Sequence, residues 1–514
     1  MNYADLFRVT LSETALDIAA LLVLVVDLGF LRKAALQIRV FSAVLIGVFG
    51  CAAAVAVMPF QAEGGLSYPG STDLLLATGG YTAIAQVGIL MLTVLTLFFL
   101  VGSDFTKHVG EFVSVTLMAA TGGLLICSAQ DLLVIFVGLE LLSLGLYVLT
   151  AFAKRSGKSA ESAMKYYLFG GMSAAFLLFG FSYLYGLTGS TNLHEIMRGL
   201  FAPAVLNSTP LLYVALVMIA AGLGFKVAAV PFHLWAPDTY QGAPAPAAAF
   251  IASVSKVASF ALLIGISAAA LHAMDQVHGA GLVTATLSGD APRFMGFHWG
   301  WSTLMAILAV ASMVFGNLAA LAQDSVRRLL AYSAIAHAGY ILLAIAYFSR
   351  SNVSANAILY YILTYGLTII GAFGAVSVVE RVNGSDRMDA FLGLYKRNGL
   401  LAGILLVLFL SLAGIPPLVG FWAKFNLFAA VLQVNRGATP FTLVAIAVAM
   451  SAVSLYYYLQ VLKRVFVMPP SNATSVKGSP LAMGVLALIT IAVIALGCLP
   501  GLMQSWMASF YAGM

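Results

Sequence analysis

The sequence predicts an all-α, polytopic membrane protein of about fourteen transmembrane helices, with two inverted five-helix repeats that contain broken helices. Three observations predict it. Hydrophobic residues fill 62% of the 514 positions and charged ones 9%, with mean hydropathy +1.01, where a soluble chain carries about 25% charged residues. Apolar runs of about 17–25 residues, long enough to cross a bilayer, recur from end to end. The basic residues collect in alternate loops.

The spans fall near 14–30, 38–58, 77–101, 111–128, 131–152, 163–187, 209–230, 242–271, 303–322, 329–348, 355–380, 399–430, 441–467 and 481–505. The start of the chain has no basic region and no cleavage site, and Arg32 and Lys33 follow the first apolar run, so that run reads as a retained span. The seventh span meets Gly222, Gly224 and Pro231, and the twelfth holds Gly414, Pro416 and Pro417; both are expected to be broken. Interrupted helices in corresponding halves point to an inverted-repeat transporter. The organisation is therefore three N-terminal helices (1–110), a first repeat of spans four to eight (111–271), a second of spans nine to thirteen (303–467), and a C-terminal helix (481–514).

Loops after odd-numbered spans carry sixteen of the 25 lysines and arginines, and the other loops with the N-terminus carry five. The bias places both termini in the periplasm of a bacterial inner membrane. The net charge of +6 is thereby a topology signal and not a nucleic-acid one. Cys51, Cys127 and Cys498 match no metal or redox spacing and read as small apolar residues.

Four basic residues remain, Lys165, Lys226, Lys256 and Lys424, all within or at the edge of spans. Glu140 and His337 also lie mid-span. A charge at the bilayer centre costs at least ~2.5–3.5 kcal/mol, so such residues mark ion or proton pathways. Each has a plainer reading. A single Lys–Glu pair can clasp two helices, Lys165 can snorkel to the interface, and a lone histidine can be a satisfied core residue. Asp17 and Asp27 are expected near the ends of the first span and solvated. One ionisable group on each of several helices exceeds what packing requires. The types suit proton transfer: burial disfavours the charged form of lysine and of glutamate, and a neighbouring opposite charge restores it. All four cations at membrane depth are lysine and none is arginine, which hardly deprotonates.

At 222–260 the stretch GLGFKVAAVPFHLWAPDTYQGAPAPAAAFIASVSKVASFA resembles the core of the proton-conducting, antiporter-like membrane subunits of respiratory NADH–quinone oxidoreductase (complex I). HLWAPDTYQGAP resembles the N-type members; the L- and M-type members and the Mrp antiporters show a Trp-Leu-Pro-Asp-Ala pattern that Asp238-Thr239-Tyr240-Gln241-Gly242 departs from. GLELLSLGLYVL, RRLLAYSAIAHAGY and LAGIPPLVGFWAKF also match. The resemblance implies that Glu140 modulates a lysine partner, Lys226 stands at the broken seventh helix, Lys256 is the central relay lysine, and Lys424 stands at the exit-side broken helix. Lys165, His233 and His337 match further axis or access positions. It implies no cofactor and no metal in this chain: NADH, FMN, iron–sulfur clusters and quinone belong to partner subunits. The implied partners are neighbouring membrane subunits of the complex, the lipid bilayer and protons. A free-standing cation/proton antiporter subunit, and the equivalent subunit of a complex fed by ferredoxin or a deazaflavin, are the alternatives.

Overall fold

The computed structural model describes residues 3–61, 65–67, 74–103, 105–200, 209–279, 295–349, 352–470 and 475–511. After a short helix, Tyr3–Val9, come α1 (Leu11–Leu24), α2 (Leu36–Val57), α3 (Gly80–Phe98), α4 (Val109–Ser128), α5 (Leu132–Thr150) and α6 (Gly157–Thr188). Then follow α7 (Thr209–Val227), α8 (Trp235–Gly242), α9 (Ala245–Gly279), α10 (Met295–Leu321), α11 (Val326–Ala346) and α12 (Asn352–Asn383). The chain continues with α13 (Gly399–Ala413), α14 (Val419–Val434), α15 (Ala438–Phe466), α16 (Pro480–Cys498) and α17 (Gly501–Ser509). A small antiparallel ribbon pairs Leu66 with Leu76 and Ser67 with Leu74.

Among the described residues twelve helices are long and apolar enough to cross a membrane. The α13–α14 pair, too short singly, makes one more crossing, and α1 another with the π-helical turn Val25–Phe30 that extends it. The fourteen expected spans are thus all present. Some ends shift: α6 begins at Gly157 rather than near 163 because Ser156 caps it, its hydroxyl accepting from the Ser159 N–H.

Asp27 corrects the expectation of a solvated end. It is 2% exposed. Arg39 grips both its carboxylate oxygens at 2.6 Å, and the Gly110 N–H donates to it at 3.2 Å. Asp17 is exposed on its helix and accepts from Thr121 at 2.9 Å.

Two stretches of the chain repeat one local arrangement. Asp131 caps α5, the Leu132 N–H donates to the Thr191 carbonyl, and the Leu193 N–H donates to the Gln130 carbonyl. Ser325 caps α11, the Val326 N–H donates to the Asp386 carbonyl, and the Met388 N–H donates to the Asp324 carbonyl. Helix contacts repeat as well. A Cβ at Gly122 would stand 2.6 Å from the Leu142 nitrogen, and one at Gly316 would stand 2.7 Å from the Ala336 nitrogen. Without a hydrophobic drive between helices in lipid, such close backbone approach supplies the packing energy. In this register Ala334 stands where Glu140 stands, and His337 where Ser143 stands.

The most enclosed elements lie centrally. The spanning window of α9 is wholly buried and that of α11 almost so. These helices carry Lys256 and His337, so neither residue has a route to lipid by rotation of its side chain.

Candidate functional site

Both broken helices place a lysine at the break. α7 stops one residue after Lys226, because Ala228 turns left-handed with φ 59°, a conformation costing a non-glycine residue about 1–2 kcal/mol. α13 stops where Gly414 turns left-handed with φ 88°. A Cβ on Gly414 would meet Lys424 Cδ at 2.9 Å and Nζ at 3.2 Å, so glycine serves both the turn and the lysine. Backbone released from helical bonding at membrane depth is tolerated where it is buried or lines a polar cavity. At the second break the freed Ala413 carbonyl accepts from the Lys424 ammonium, and at the first the Val230 N–H donates to the Ser312 hydroxyl at 2.9 Å.

Lys226, 7% exposed, donates to the Ser143 hydroxyl at 2.5 Å. The Glu140 carboxylate stands 3.8 Å from the ammonium. Ser143 is one turn beyond Glu140 on α5, so one helix face supplies both the charge and the hydrogen bond. Glu140 is itself 27% exposed. It lies in the outward stripe of α5, with Leu133, Val137, Leu144 and Val148 exposed on either side of it.

Lys256, 2% exposed, donates to the Ala334 carbonyl on α11 at 2.5 Å, and its ammonium lies 5.8 Å from the Tyr365 ring centre. His337, one turn along α11, shares a 2.7 Å hydrogen bond with the Tyr361 hydroxyl through Nδ1. Its ring lies 4.8 Å from that of Tyr365. A further turn along, Tyr340 lies beneath Lys424, whose ammonium is 5.5 Å from the ring centre. Lys424 donates to the Ala413 carbonyl and to Ser451, each at 2.8 Å. Ala413 ends α13, so the ammonium meets the negative end of that half-helix. Residues 334, 337 and 340 share one face of α11, and that face joins Lys256, His337 and Lys424 in one line. Asn317 donates to the Tyr340 hydroxyl at 3.0 Å and accepts from Tyr457 at 3.1 Å, fixing the inner wall. No hydrogen bond joins Lys226 to Lys256 among the described residues.

Lys165 stands apart. It is 42% exposed and pairs with Glu161 at 2.7 Å and with Asp238 at 2.8 Å. Arg328 pairs with Asp238 at 2.5 Å. This is a rim network, as the snorkelling reading expects. Burial tends to raise the Asp238 carboxyl, but hydrogen bonds from Lys165 and Arg328 outweigh it and hold the group below the usual range. Beside Arg328, Arg327 is 4% exposed and donates to the Gln241 and Ala243 carbonyls, both at 2.8 Å. His233 is buried in the segment between α7 and α8, edge-on to Phe315 at 4.9 Å, and its Nδ1 has no partner. No group of three or more His, Cys, Asp or Glu side chains among the described residues suits a metal ion.

The sequence reading missed Tyr340, Tyr361, Tyr365, Ser143 and Ser451. The only signal was a recurrence of hydroxyl residues at helical spacing inside apolar runs, as in Tyr360-Tyr361 and Thr364-Tyr365.

A polytopic bundle with ionisable side chains enclosed along its interior, two of them at interrupted helices, has the build of an antiporter-like membrane subunit. The chain belongs to the NADH:quinone oxidoreductase/Mrp antiporter transmembrane family, whose profile matches residues 129–289 and 269–454. It is 45% identical to a protein of Acidobacterium capsulatum named NADH-quinone oxidoreductase subunit N 2, over 99% of both chains. It superposes on a chain of respiratory complex I from Thermus thermophilus with a TM-score of 0.74 and 33% identity, over 96% of this chain and 98% of that one. A chain of the Mrp complex of a Dietzia species shares the fold, with a TM-score of 0.74 and 21% identity, over 97% of this chain and 96% of that one.

Proposed function

We propose that this chain is the N-type membrane subunit of a bacterial NADH–quinone oxidoreductase, in contact with neighbouring membrane subunits. In it, protons cross the inner membrane on a relay of Glu140, Lys226, Lys256, His337 and Lys424, coupled to quinone reduction in partner subunits. His233 flanks the access side, while Lys165 belongs to the rim network with Asp238 and Arg328. The redox cofactors belong to the partners. Residues 111–271 and 303–467 act as two inverted repeats, and both termini face the periplasm, as the sixteen-to-five bias of basic residues supports.

One observation carries the reading: Lys256, His337 and Lys424 meet a single face of α11, and the Glu140–Lys226 pair sits at a helix break. A lysine that bonds to neutral carbonyls and hydroxyls, with a movable carboxylate nearby, can exchange its proton when that carboxylate shifts. The test is the proton-to-electron ratio of the reconstituted complex. Lys226→Ala and Glu140→Ala should lower it while the complex still assembles; an undiminished ratio in both would defeat the relay.

A further inference from the structure

α1 carries an acid at membrane depth for which the bundle supplies no cation. Asp17 lies on the exposed side of its helix and accepts one hydrogen bond, to Oδ1 from Thr121 of α4 at 2.9 Å. Among the described residues no hydrogen bond reaches Oδ2 and no ion pair reaches either oxygen. Asp27, Glu140 and Asp238 differ. Arg39 stands 2.6 Å from the first, Lys226 3.8 Å from the second and Lys165 2.8 Å from the third. Glu13, one turn before Asp17, is enclosed and adds a second acid, not a counter-charge.

The neighbours of Asp17 fix its depth. Thr121 lies seven residues before Ser128, where α4 ends, which is about 10 Å inside that end at about 1.5 Å per residue. The next residue, Gly122, abuts Leu142 of α5, and Ser143 beside Leu142 takes the Lys226 hydrogen bond. Asp17 therefore sits level with the Lys226–Ser143 pair, deeper than its place in the apolar run suggests.

At that level it belongs to an outward face. Gly50 of α2 abuts Ala19, and Asp17, about 200° away around the helix, turns from α2 toward the edge of α4. Leu21 and Leu28 continue the Asp17 line at helical spacing, Ile18 lies beside it, and Met118 stands one turn from Thr121 on α4; all four are exposed. Lipid satisfies the apolar side chains of this face but not the carboxylate.

We infer that this face of α1 and α4 is a docking surface for a transmembrane helix of a neighbouring subunit that carries a lysine or arginine opposite Asp17. Charge complementarity selects that occupant. A lipid headgroup keeps its ammonium at the interface, and the aspartate stem is too short to reach back to it, unlike the long stems of lysine and arginine. Irregular chain does not enter the hydrocarbon. A cation on a partner helix at this depth faces the same cost of burial as Asp17, and pairing relieves both. Thr121 holds one carboxylate oxygen and leaves the other for the incoming donor. The inference stands apart from the relay, because its readout is assembly and contact, not pumping.

The test uses the assembled complex in its membrane. A benzophenone amino acid replaces Ile18 or Leu21, the sample is illuminated, and the adducts are mapped by mass spectrometry. The expected adduct joins α1 to a transmembrane segment of another subunit, within one helical turn of a lysine or arginine. Adducts with lipid alone, or with a segment lacking such a residue, overturn the inference. Two variants then probe the charge, with assembled complex read on native gels. Asp17→Lys sets like charges together and should reduce assembly about tenfold or more. Asp17→Leu strands the partner's cation and should also reduce it; assembly equal to or above that of the parent in Asp17→Leu would mean that Asp17 faces lipid as a neutral acid. A charge swap, Asp17→Lys with the cross-linked basic residue changed to aspartate, should recover most of the assembly. Failure of the swap to recover it overturns the pairing.

Discussion

Glu140 stops 3.8 Å short of the Lys226 ammonium, whose hydrogen bond goes to Ser143 at 2.5 Å instead. The two charges attract by about 4 kcal/mol at an effective dielectric of 20, yet no direct hydrogen bond locks them. A carboxylate held by charge alone can be drawn away, and its 27% exposure leaves it open to a neighbouring subunit. Glu140→Gln keeps the size and removes the charge. It should lower the rate of proton transfer about as much as Glu140→Ala, with the fold retained. A Ser143→Ala variant keeps the charge pair and removes the hydrogen bond, and should cost less. Proton uptake by reconstituted vesicles, measured against electron flow, checks the order.

Lys256 separates proton transfer from charge. Its ammonium bonds to the Ala334 carbonyl, with no carboxylate in contact among the described residues. Lys256→Arg retains a cation but cannot release a proton at any attainable pH. The expected outcome is that Lys256→Arg blocks pumping as completely as Lys256→Ala. Pumping preserved in the arginine variant would mean that this position supplies a fixed charge only.

Among the described residues the Tyr361 hydroxyl is the hydrogen-bond partner of His337 Nδ1. Tyr361→Phe leaves a buried ring nitrogen unpaired, at about 1–3 kcal/mol. Thermal unfolding of the complex in detergent should start at lower temperature. If His337 carries protons, the pumping rate should fall with it, and His337→Gln should reproduce the pumping loss.

The spans and the central ionisable residues were legible in the sequence because the bilayer enforces both. An apolar run of fixed length is conspicuous, and a lysine within it more so. Both helix breaks were legible from Gly222, Pro231, Gly414 and Pro417, although the left-handed residue at the first break is Ala228, which has no helix-breaking signature. The face of α11 that gathers Lys256, His337 and Lys424 was not legible. Tyr340, Tyr361 and Tyr365 look like ordinary aromatic core, and only their hydroxyls and ring faces, turned toward the cations, make them part of the site. Lys165 and Asp27 show the opposite limit. Depth in a span cannot be judged from a run whose helix starts earlier than its hydropathy, as α6 does, nor can a run show that an acid near its end is paired, as Asp27 is with Arg39.

The rim offers a control for the interior. Asp238 holds Lys165 and Arg328 together, and its carboxyl is kept below the usual range by those two donors after burial is offset. Its contribution is present above the ordinary carboxyl value and disappears only as pH falls through the lowered one, so the network is intact throughout the neutral range. Lys165→Ala should therefore leave the proton-to-electron ratio unchanged and lower stability by no more than about 1 kcal/mol, as for an exposed pair. A collapse of pumping in Lys165→Ala would move this residue from the rim to the pathway.

The Arg39–Asp27 pair predicts a larger structural effect without a functional one. It is bidentate at 2.6 Å, with Asp27 2% exposed and Arg39 15%, and it ties the π turn after α1 to α2. Removing one partner of such a pair strands the other charge, at about 3–5 kcal/mol, whereas replacing both by apolar residues is often neutral. Asp27→Leu alone should reduce the amount of assembled subunit in the membrane. The double variant Asp27→Leu with Arg39→Met should restore it, with a normal proton-to-electron ratio. If the double variant assembles but fails to pump, the pair belongs to the pathway after all, because packing would then have been repaired without repairing function.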